Sequence, residues 1–368
     1  MQLFDRLGDE YEQVVVCHDP AVGLRAIVAI HSTVLGPALG GTRWYPYSSE
    51  DQAMEDVLRL ARGMTYKSAV AGLDLGGGKA VILGDPAGQR SDALLRGYGQ
   101  FLDTLNGRYI TAEDVGTTQA DMDMIFTQTP NVSGISGIHG GSGDPSAATA
   151  YGLWWAMKAV RRLLDGTEDL AGFRVVVSGV GKVGSSLVDH LVADGAVVTV
   201  ADVNAAAVAQ LVNRHGVTAV AVDQAHLVEC DIFSPCALGG TLGQLVIAGL
   251  RCRAVVGSAN NQLATPADGA RLADRGIVYA PDFVVNSGGV INIAEELAGY
   301  EHGYDQERAY ARVSGIFDTT WRVLSESRER GVTPNEVAEG LAEARMAAAV
   351  SGTDRRIRGF DGTAKRRT

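Results

Sequence analysis

The sequence is short of sulfur, of positive charge and of long apolar runs. Four of its 368 residues are cysteine. Cys17, Cys230, Cys236 and Cys252 fit no common metal-binding spacing, and nothing in their placement supports pairing. Free thiols in a reducing cytoplasm are the simplest expectation. Lys and Arg number 32 against 43 Asp and Glu, a net charge of -11, which argues against a general affinity for nucleic acid. The exception is the basic stretch "RRIRGFDGTAKRRT" at 355–368, which reads as a solvated, frayed end. No run reaches the roughly 18 apolar residues of a membrane-spanning helix, so no membrane association is expected. The opening "MQLFDRLGDEYEQ" is acidic and polar, unlike a signal peptide. No repeat or low-complexity segment stands out.

What is present is ordinary for a soluble globular protein: 46% hydrophobic and 20% charged residues. The length suggests two domains at ~150 residues each. "YEQVVVCHD" and "LRAIVAIHST" read as paired strands across the turn "DPAVG". "SSEDQAMEDVLRLARGMTYKSAVAG" reads as a helix, with Ser48 or Ser49 as its cap and Ala53, Val57, Leu58, Leu60 and Ala61 at helical spacing. "KAVILGDP" and "RYITAEDVG" read as further strands. "SGISGIHGGSGDPS" at 133–146 looks like a hinge or linker, and its His139 is a loop residue. A strong helix follows it. "RAYARVSGIFDTTWRVLSESRERG" predicts one long helix, with a shorter one after it.

From residue 173 the pattern is strand, tight turn, helix, strand, acid. Gly179, Gly181 and Gly184 fit G-x-G-x-x-G between a strand and a helix, with Asp202 after the next strand. Gly179 permits the turn, Gly181 lets the backbone approach a pyrophosphate, and Gly184 allows close helix packing. The helix N-terminus offers N–H groups to phosphates. Asp202 can accept from ribose hydroxyls and repels a 2′-phosphate, which favours NAD over NADP. The bland alternative is a glycine turn in some other α/β domain. The other is a Rossmann domain that senses rather than catalyses, since fold does not fix function.

"DLGGGKAVIL" raises a second phosphate-loop possibility and then removes it. Residue 73 is Leu where a P-loop needs its first glycine. Ala80 stands where Ser or Thr would bind magnesium, and an apolar strand follows instead of a helix. Lys67, Lys79 and Asp114 together make a different candidate. Alone, Lys67 is an ordinary residue near a helix C-terminus and Asp114 an ordinary turn residue. Beside a nucleotide domain, one lysine could hold a substrate carboxylate. The other, its pKa lowered by that charge and by desolvation, could act as a base near neutral pH.

These residues sit in strings that resemble the amino acid dehydrogenase family of glutamate, leucine, valine and phenylalanine dehydrogenases, with the leucine and valine enzymes closest. The strings are "LGPALGGTRWYPY" (35–47), "ARGMTYKSAVAGLDLGGGKAVI" (61–82), "GRYITAEDVGTTQADMD" (107–123), "SGVGKVG" (178–184), "SPCALGG" (234–240), "GSANNQLA" (257–264) and "YAPDFVVNSGGVINIAEEL" (279–297).

The resemblance implies an α/β fold of two domains around a cleft that closes on its ligands. Residues 1–140 would form a substrate-binding and oligomerisation domain, rejoined by 328–368. Residues 141–327 would form a Rossmann NAD-binding domain. Lys67 would bind the substrate carboxylate, Lys79 would be the catalytic acid and base, and Asp114 would assist it. Gly40 and Gly41 would lie against the substrate main chain, and the three glycines before Lys79 would let backbone and substrate approach. Asn260 and Asn261 would sit where substrate and nicotinamide meet. Gly179, Val180, Gly181, Lys182, Val183, Gly184, Asp202, Cys236, Ala237 and Asn260 would contact the cofactor.

Leu39, Ala112, Ser133, Val290 and Ile293 would line the side-chain pocket. None is charged, so a glutamate side chain would be poorly paired there. A branched aliphatic amino acid fits best. The implied reaction is reversible oxidative deamination to a 2-oxo acid, ammonia and NADH, with no metal, in a homo-oligomer. Phenylalanine dehydrogenase activity is the alternative within the class, and a non-catalytic regulator that binds NAD or an amino acid is the alternative outside it.

Overall fold

The computed structural model describes residues 7, 8, 10–298 and 303–351. The basic stretch 355–368 lies outside the described residues. The chain divides into two compact units. One draws its residues from Met1–Asp144, Ile293–Gln306 and Leu341–Thr368, and the other from Pro145–Asn292 and Glu307–Gly340.

The first unit is built on a five-stranded sheet in the order β1-β2-β4-β3-β5. Its strands are β1 (Gln13–Asp19), β2 (Leu24–Ser32), β3 (Ala38–Tyr45), β4 (Gly76–Leu83) and β5 (Tyr109–Glu113). β1 and β2 form the expected antiparallel pair, Gln13 opposite Ile30 and Asp19 opposite Leu24. β3, β4 and β5 run parallel, and β2 opposes β4.

Strand alternation sorts the residues onto two faces. On one face Ala26, Val28 and Ile30, Ala80 and Ile82, Ala38 and Trp44, and Tyr109 join a core closed by Leu94, Leu95, Tyr98 and Leu102 of the helix Asp92–Asp103 and by Met122 and Ile125. Each large side chain buried there contributes ~1.5–3 kcal/mol. On the other face Ile27, Ala29 and Val81 pack against Ala53, Val57, Leu58 and Ala61 of the helix Glu50–Val70. Ser49 caps that helix by accepting from the Gln52 N–H at 3.1 Å, and Glu50 and Asp51 fill its first turn.

β3 was not expected from the sequence. Two glycines in its middle and prolines at 37 and 46 give it no strand pattern, yet it lies between β4 and β5. A Cβ at Gly40 would overlap the Gly78 carbonyl, and one at Gly41 would lie 2.8 Å from the Asp114 Cβ. Glycine is what lets three parallel strands come together here.

The segment 133–144, expected as a linker, is packed into the first unit. Buried Glu296 Oε2 accepts from the Gly134 N–H (3.0 Å), the Ser142 N–H (2.9 Å) and the Ser142 hydroxyl (2.7 Å). A loop whose backbone donors end on a buried carboxylate is held in place. That bond also explains why Ile293–Gln306 belongs with this unit.

The second unit has six parallel strands in the order β11-β10-β9-β6-β7-β8. They are β6 (Arg174–Ser178), β7 (Val197–Ala201), β8 (Thr218–Ala219), β9 (Ile232–Pro235), β10 (Ala254–Val255) and β11 (Val278–Tyr279). The chain leaves β6 in one direction through β7 and β8, then crosses back to β9 and proceeds the other way. This is the doubly wound order of dinucleotide-binding domains, with its switch point between β6 and β9.

Two expectations about the C-terminal region need correction. The single long helix is two, Gln306–Ser314 and Ile316–Arg330, because the Gly315 N–H turns to the Arg312 carbonyl (3.1 Å) in a tightened turn. The helix after them, Pro334–Ser351, is longer than either. The return to the first unit also starts at Leu341, not at 328. Ile316–Arg330 is tied to the second unit: the Ile316 side chain abuts Gly152, and Arg162 lies over the Trp321 ring at 4.7 Å.

Candidate active site

The face of the first sheet that carries the helix Glu50–Val70 also carries the candidate chemistry. Register places Leu39, Gly41 and Arg43 of β3 on the same face as Gly77, Lys79 and Val81 of β4 and Ala112 of β5. Asp114, just past β5, joins them. Lys79 Nζ lies 2.6 Å from Asp114 Oδ2, with the two side chains 8% and 14% exposed. A lysine and an aspartate 35 positions apart in the chain therefore form a buried ion pair.

Asp114 is held by its backbone as well. Its N–H donates to the Thr117 hydroxyl (2.9 Å), which donates in turn to the Thr42 carbonyl (2.9 Å). Gly116, at φ 84°, brings the turn against Trp44, where a Cβ would overlap the Trp44 carbonyl. Burial works to raise the Asp114 pKa. Lys79 first and Arg43 second outweigh it and hold the carboxyl below its ordinary value.

The glycines before Lys79 are each in close contact with protein. A Cβ at Gly77 would overlap the Thr65 backbone, one at Gly76 the Ser32 carbonyl, and one at Gly78 would lie 2.8 Å from the Tyr109 ring. All three let backbone approach closely around Lys79, as expected for the backbone part of their role. Gly77 lets the helix Glu50–Val70 sit directly on β4, and Lys67 lies on that helix's last turn. Thr65 is fixed from the other side by His31, whose Nδ1 lies 2.9 Å from the Thr65 hydroxyl. Burial, then the charge of Arg62, pushes the His31 pKa down to about 4, so this imidazole is neutral.

Of the expected pocket residues, Leu39, Ala112, Ser133, Val290 and Ile293 are all buried. Leu39 and Ala112 share the face of Lys79. Ser133 follows β5 closely: its N–H donates to the Thr111 carbonyl (2.8 Å) and its hydroxyl points to the same atom (3.3 Å). Val290 and Ile293 lie one turn apart on the helix Gly288–Ala298.

In the second unit the three motif glycines have three environments. Gly179 has φ 106°, and a Cβ on it would lie 2.6 Å from the Ala237 nitrogen. A Cβ on Gly184 would overlap the Gly179 carbonyl, while one on Gly181 would meet nothing within 4 Å. The open position is the one where backbone must approach a pyrophosphate. The helix Lys182–Ala193 begins there with no side-chain cap bond and no acid in its first turn, features that suit an anion at its N-terminus.

Ser178 is paired with Pro235, and the Cys236 N–H donates to the Ser178 carbonyl (2.7 Å). Cys236 and Ala237 therefore flank the glycine turn at the switch point, together with Val180, Lys182 and Val183 of the turn itself. Asp202 accepts from the Val180 N–H (2.6 Å) and the Asn204 N–H (2.8 Å). Its carboxylate thus ties the second strand's end to the glycine turn. No residue from 203 to 207 is basic.

Asn261 is left-handed at φ 52°, one of two such non-glycine residues described. Its N–H donates to Asp282 Oδ2 (2.7 Å) and its carbonyl accepts from the Gly240 N–H (2.7 Å). Asn260 Oδ1 accepts from Asn286 Nδ2 (3.0 Å).

Sequence reasoning missed Arg43, Asp56, Glu296, Asp282 and Asn286. Arg43, Asp282, Asn286 and Glu296 lie inside strings already singled out for the resemblance, Arg43 three residues beyond Gly40, and only Asp56 lies outside them. All act through partners distant in the chain.

A family model described as the Glu/Leu/Phe/Val dehydrogenase dimerisation domain matches residues 11–131. A second, described as Glutamate/Leucine/Phenylalanine/Valine dehydrogenase, matches residues 140–222 and 204–355. The chain is 50% identical over 348 residues to a leucine dehydrogenase of Bacillus cereus, covering 94% of each chain. It is 50% identical over 339 residues to a valine dehydrogenase of Streptomyces virginiae, covering 91% of this chain and 94% of that one. Among solved structures it is similar to the L-tryptophan dehydrogenase of Nostoc punctiforme, with TM-score 0.79, 39% identity, and 94% and 98% coverage.

Proposed function

The chain belongs to the Glu/Leu/Phe/Val dehydrogenase family, and from that premise we propose that it catalyses reversible, NAD-dependent oxidative deamination of a branched-chain L-amino acid. The observation that carries the reading is the buried Lys79–Asp114 pair at 2.6 Å. It supplies a proton carrier and its counter-charge on one face of a rigid sheet.

Enzymes of this family use a nicotinamide cofactor. The residues present fit one: the open backbone at Gly181, the uncapped helix at Lys182 and the acid Asp202. Gly179–Gly184 would hold the pyrophosphate, Asp202 a ribose, and Cys236, Ala237 and Asn260 the remainder. When bound, the nicotinamide accepts the hydride that leaves the amino acid Cα. Asp202, with no basic residue following it, favours NAD over NADP.

The first unit handles the amino acid. Lys67 anchors its carboxylate, with Gly40 and Gly41 against its main chain. Once Cα has lost its hydride, Lys79 takes a proton from water as the oxygen attacks the iminium carbon. Lys79 then gives that proton to the carbinolamine nitrogen and takes the proton of the carbinolamine hydroxyl as the carbonyl forms, so that ammonia leaves and the 2-oxo acid remains. Asp114 holds Lys79 in place and balances its charge. Leu39, Ala112, Ser133 and Ile293 receive the side chain. Ser133 has its hydroxyl turned to Thr111, so none of the four offers a charge to a glutamate side chain. One methylene is worth ~1–3 kcal/mol, so valine, leucine and isoleucine would be separated only modestly.

The matched dimerisation domain supports a homo-oligomer formed through the first unit. No helix among the described residues is long and apolar enough to cross a membrane. The free cysteines and the use of NAD fit the cytoplasm.

NADH absorbance with NAD+ and a panel of L-amino acids tests the reading. Valine, leucine and isoleucine should give the highest kcat/KM. A higher value with glutamate or phenylalanine would overturn the substrate assignment, and no turnover with any amino acid would overturn the reaction. Asp202→Asn tests the cofactor assignment. It should weaken NAD binding about tenfold, the loss of one charge-assisted bond, and narrow the preference over NADP, leaving the amino acid KM unchanged. Fluorescence titration with NAD and NADP reads this directly, and an unchanged NAD/NADP ratio would rule it out.

A further inference from the structure

We infer that Arg43, locked by Asp56, is the positioning residue of the Lys79–Asp114 pair: a permanent cation that keeps the Asp114 carboxylate charged while Lys79 gives up and regains its proton. The inference rests on the reaction proposed above and adds a residue to it.

Arg43 stands on β3, on the face of Lys79 and two residues beyond Gly41. Its Nε lies 3.4 Å from Asp114 Oδ2, the oxygen that Lys79 approaches at 2.6 Å. The far edge of the guanidinium is occupied, with Nη1 donating to Asp56 Oδ2 at 2.8 Å. Asp56 is itself filled. The Tyr47 hydroxyl donates to Oδ2 (2.7 Å) and Arg59 to Oδ1 (3.1 Å). Burial and the bond to Asp56 push the Tyr47 pKa far up, so Tyr47 remains a donor. A planar fork held at one edge presents the other edge in a fixed direction, toward Asp114.

The charge count shows why this matters. With Lys79 protonated, Asp114 has two cations against it. With Lys79 neutral it would have none but for Arg43, and a buried carboxylate without a counter-charge takes up a proton. The proton needed in the reaction would then pass to Asp114 and be lost to the cycle. Arg43 prevents this without competing, because a guanidinium does not deprotonate in the working pH range. The groups facing Asp114 are Lys79 from β4 and Arg43 from β3, with Asp56, Arg59 and Tyr47 behind Arg43; Glu113 is its chain neighbour.

The test is the pH profile of kcat for deamination in the wild type, Arg43→Met, Arg43→Lys and Asp56→Asn. Removing a nearby positive charge makes protonation easier, so the ascending limb of Arg43→Met should move about 1 pH unit upward. Removing the negative charge of Asp56 has the opposite sign, and that limb should move downward. Arg43→Lys, which keeps the charge, should restore most of the wild-type profile. Loss of packing alone would not shift two variants in opposite directions.

A second reading needs no turnover: the pH dependence of Lys79 labelling by an amine reagent in cofactor-free protein, read by peptide mass spectrometry, should shift the same way. An unmoved limb in Arg43→Met, or both variants shifting in one direction, would overturn the inference. If Arg43→Met does not fold, an unmoved Asp56→Asn limb overturns it alone. If the wild type turns over no amino acid, the reaction fails while the labelling still decides the role of Arg43.

Discussion

Lys79→Ala should lower kcat for amino acid oxidation by about 10³–10⁴, the span of a lost general acid and base combined with a lost orientation. The protein should remain folded. Taking one partner from a buried ion pair ordinarily costs ~3–5 kcal/mol because the other charge is stranded. Here Arg43 remains 3.4 Å from Asp114 and limits that cost. The sharper variant is Lys79→Arg. It preserves a cation beside Asp114, so stability should change little, but a guanidinium cannot shuttle the proton. Its turnover should fall nearly as far as that of Lys79→Ala, with NAD binding unchanged in both. Stopped-flow or steady-state NADH absorbance, with thermal melting as control, measures each quantity. A Lys79→Arg enzyme with near-normal kcat would show that charge, and not proton transfer, is what position 79 supplies.

The contrast between the two halves of the chemistry explains what could be read in advance. The nucleotide site is local. Arg174 through Asp202 span one strand, one turn, one helix and the next strand, and each residue's role follows from its place in that short unit. Even there one contact was out of reach. Asp202 accepts from the Val180 and Asn204 N–H groups, which ties the acid to the turn before any ligand arrives.

The amino acid site is not local. Lys79 and Asp114 meet only because β4, β3 and β5 are adjacent, and the strand between them went unrecognised. Gly40 and Gly41 argue for a loop by composition. Their glycine character in fact permits the close strand contact, a tertiary reason that no local pattern carries. The two lysines and the aspartate could be grouped as a candidate from their residue types beside a nucleotide domain, but their separate roles came from the resemblance and not from spacing. Arg43 shows the limit more plainly. Its importance comes from Asp56 on a helix and Asp114 after a strand, and no window of sequence holds all three.

Gly77→Ala should be among the most destabilising single substitutions in the chain, at about 4 kcal/mol or more. The added methyl would overlap the nitrogen, Cα and Oγ1 of Thr65. Backbone atoms cannot swing aside as a side-chain tip can. Thr65 is also held by His31 at 2.9 Å, so the whole helix Glu50–Val70 must lift from β4. Lifting it opens the packing of Ala53, Val57, Leu58 and Ala61 on Ile27, Ala29 and Val81. It also carries Lys67 away from the face that holds Lys79. A drop in Tm of about 10 °C is therefore expected, with activity lost in whatever protein remains soluble. Gly63→Ala on the same helix is the matched control. Nothing lies within 4 Å of its Cβ position, and a helix-interior glycine costs ~0.5–1 kcal/mol relative to alanine, so this change should raise stability. Differential scanning calorimetry of the pair reads both signs. A Gly77→Ala protein melting close to the wild type would mean that the helix is not seated on β4 through this glycine.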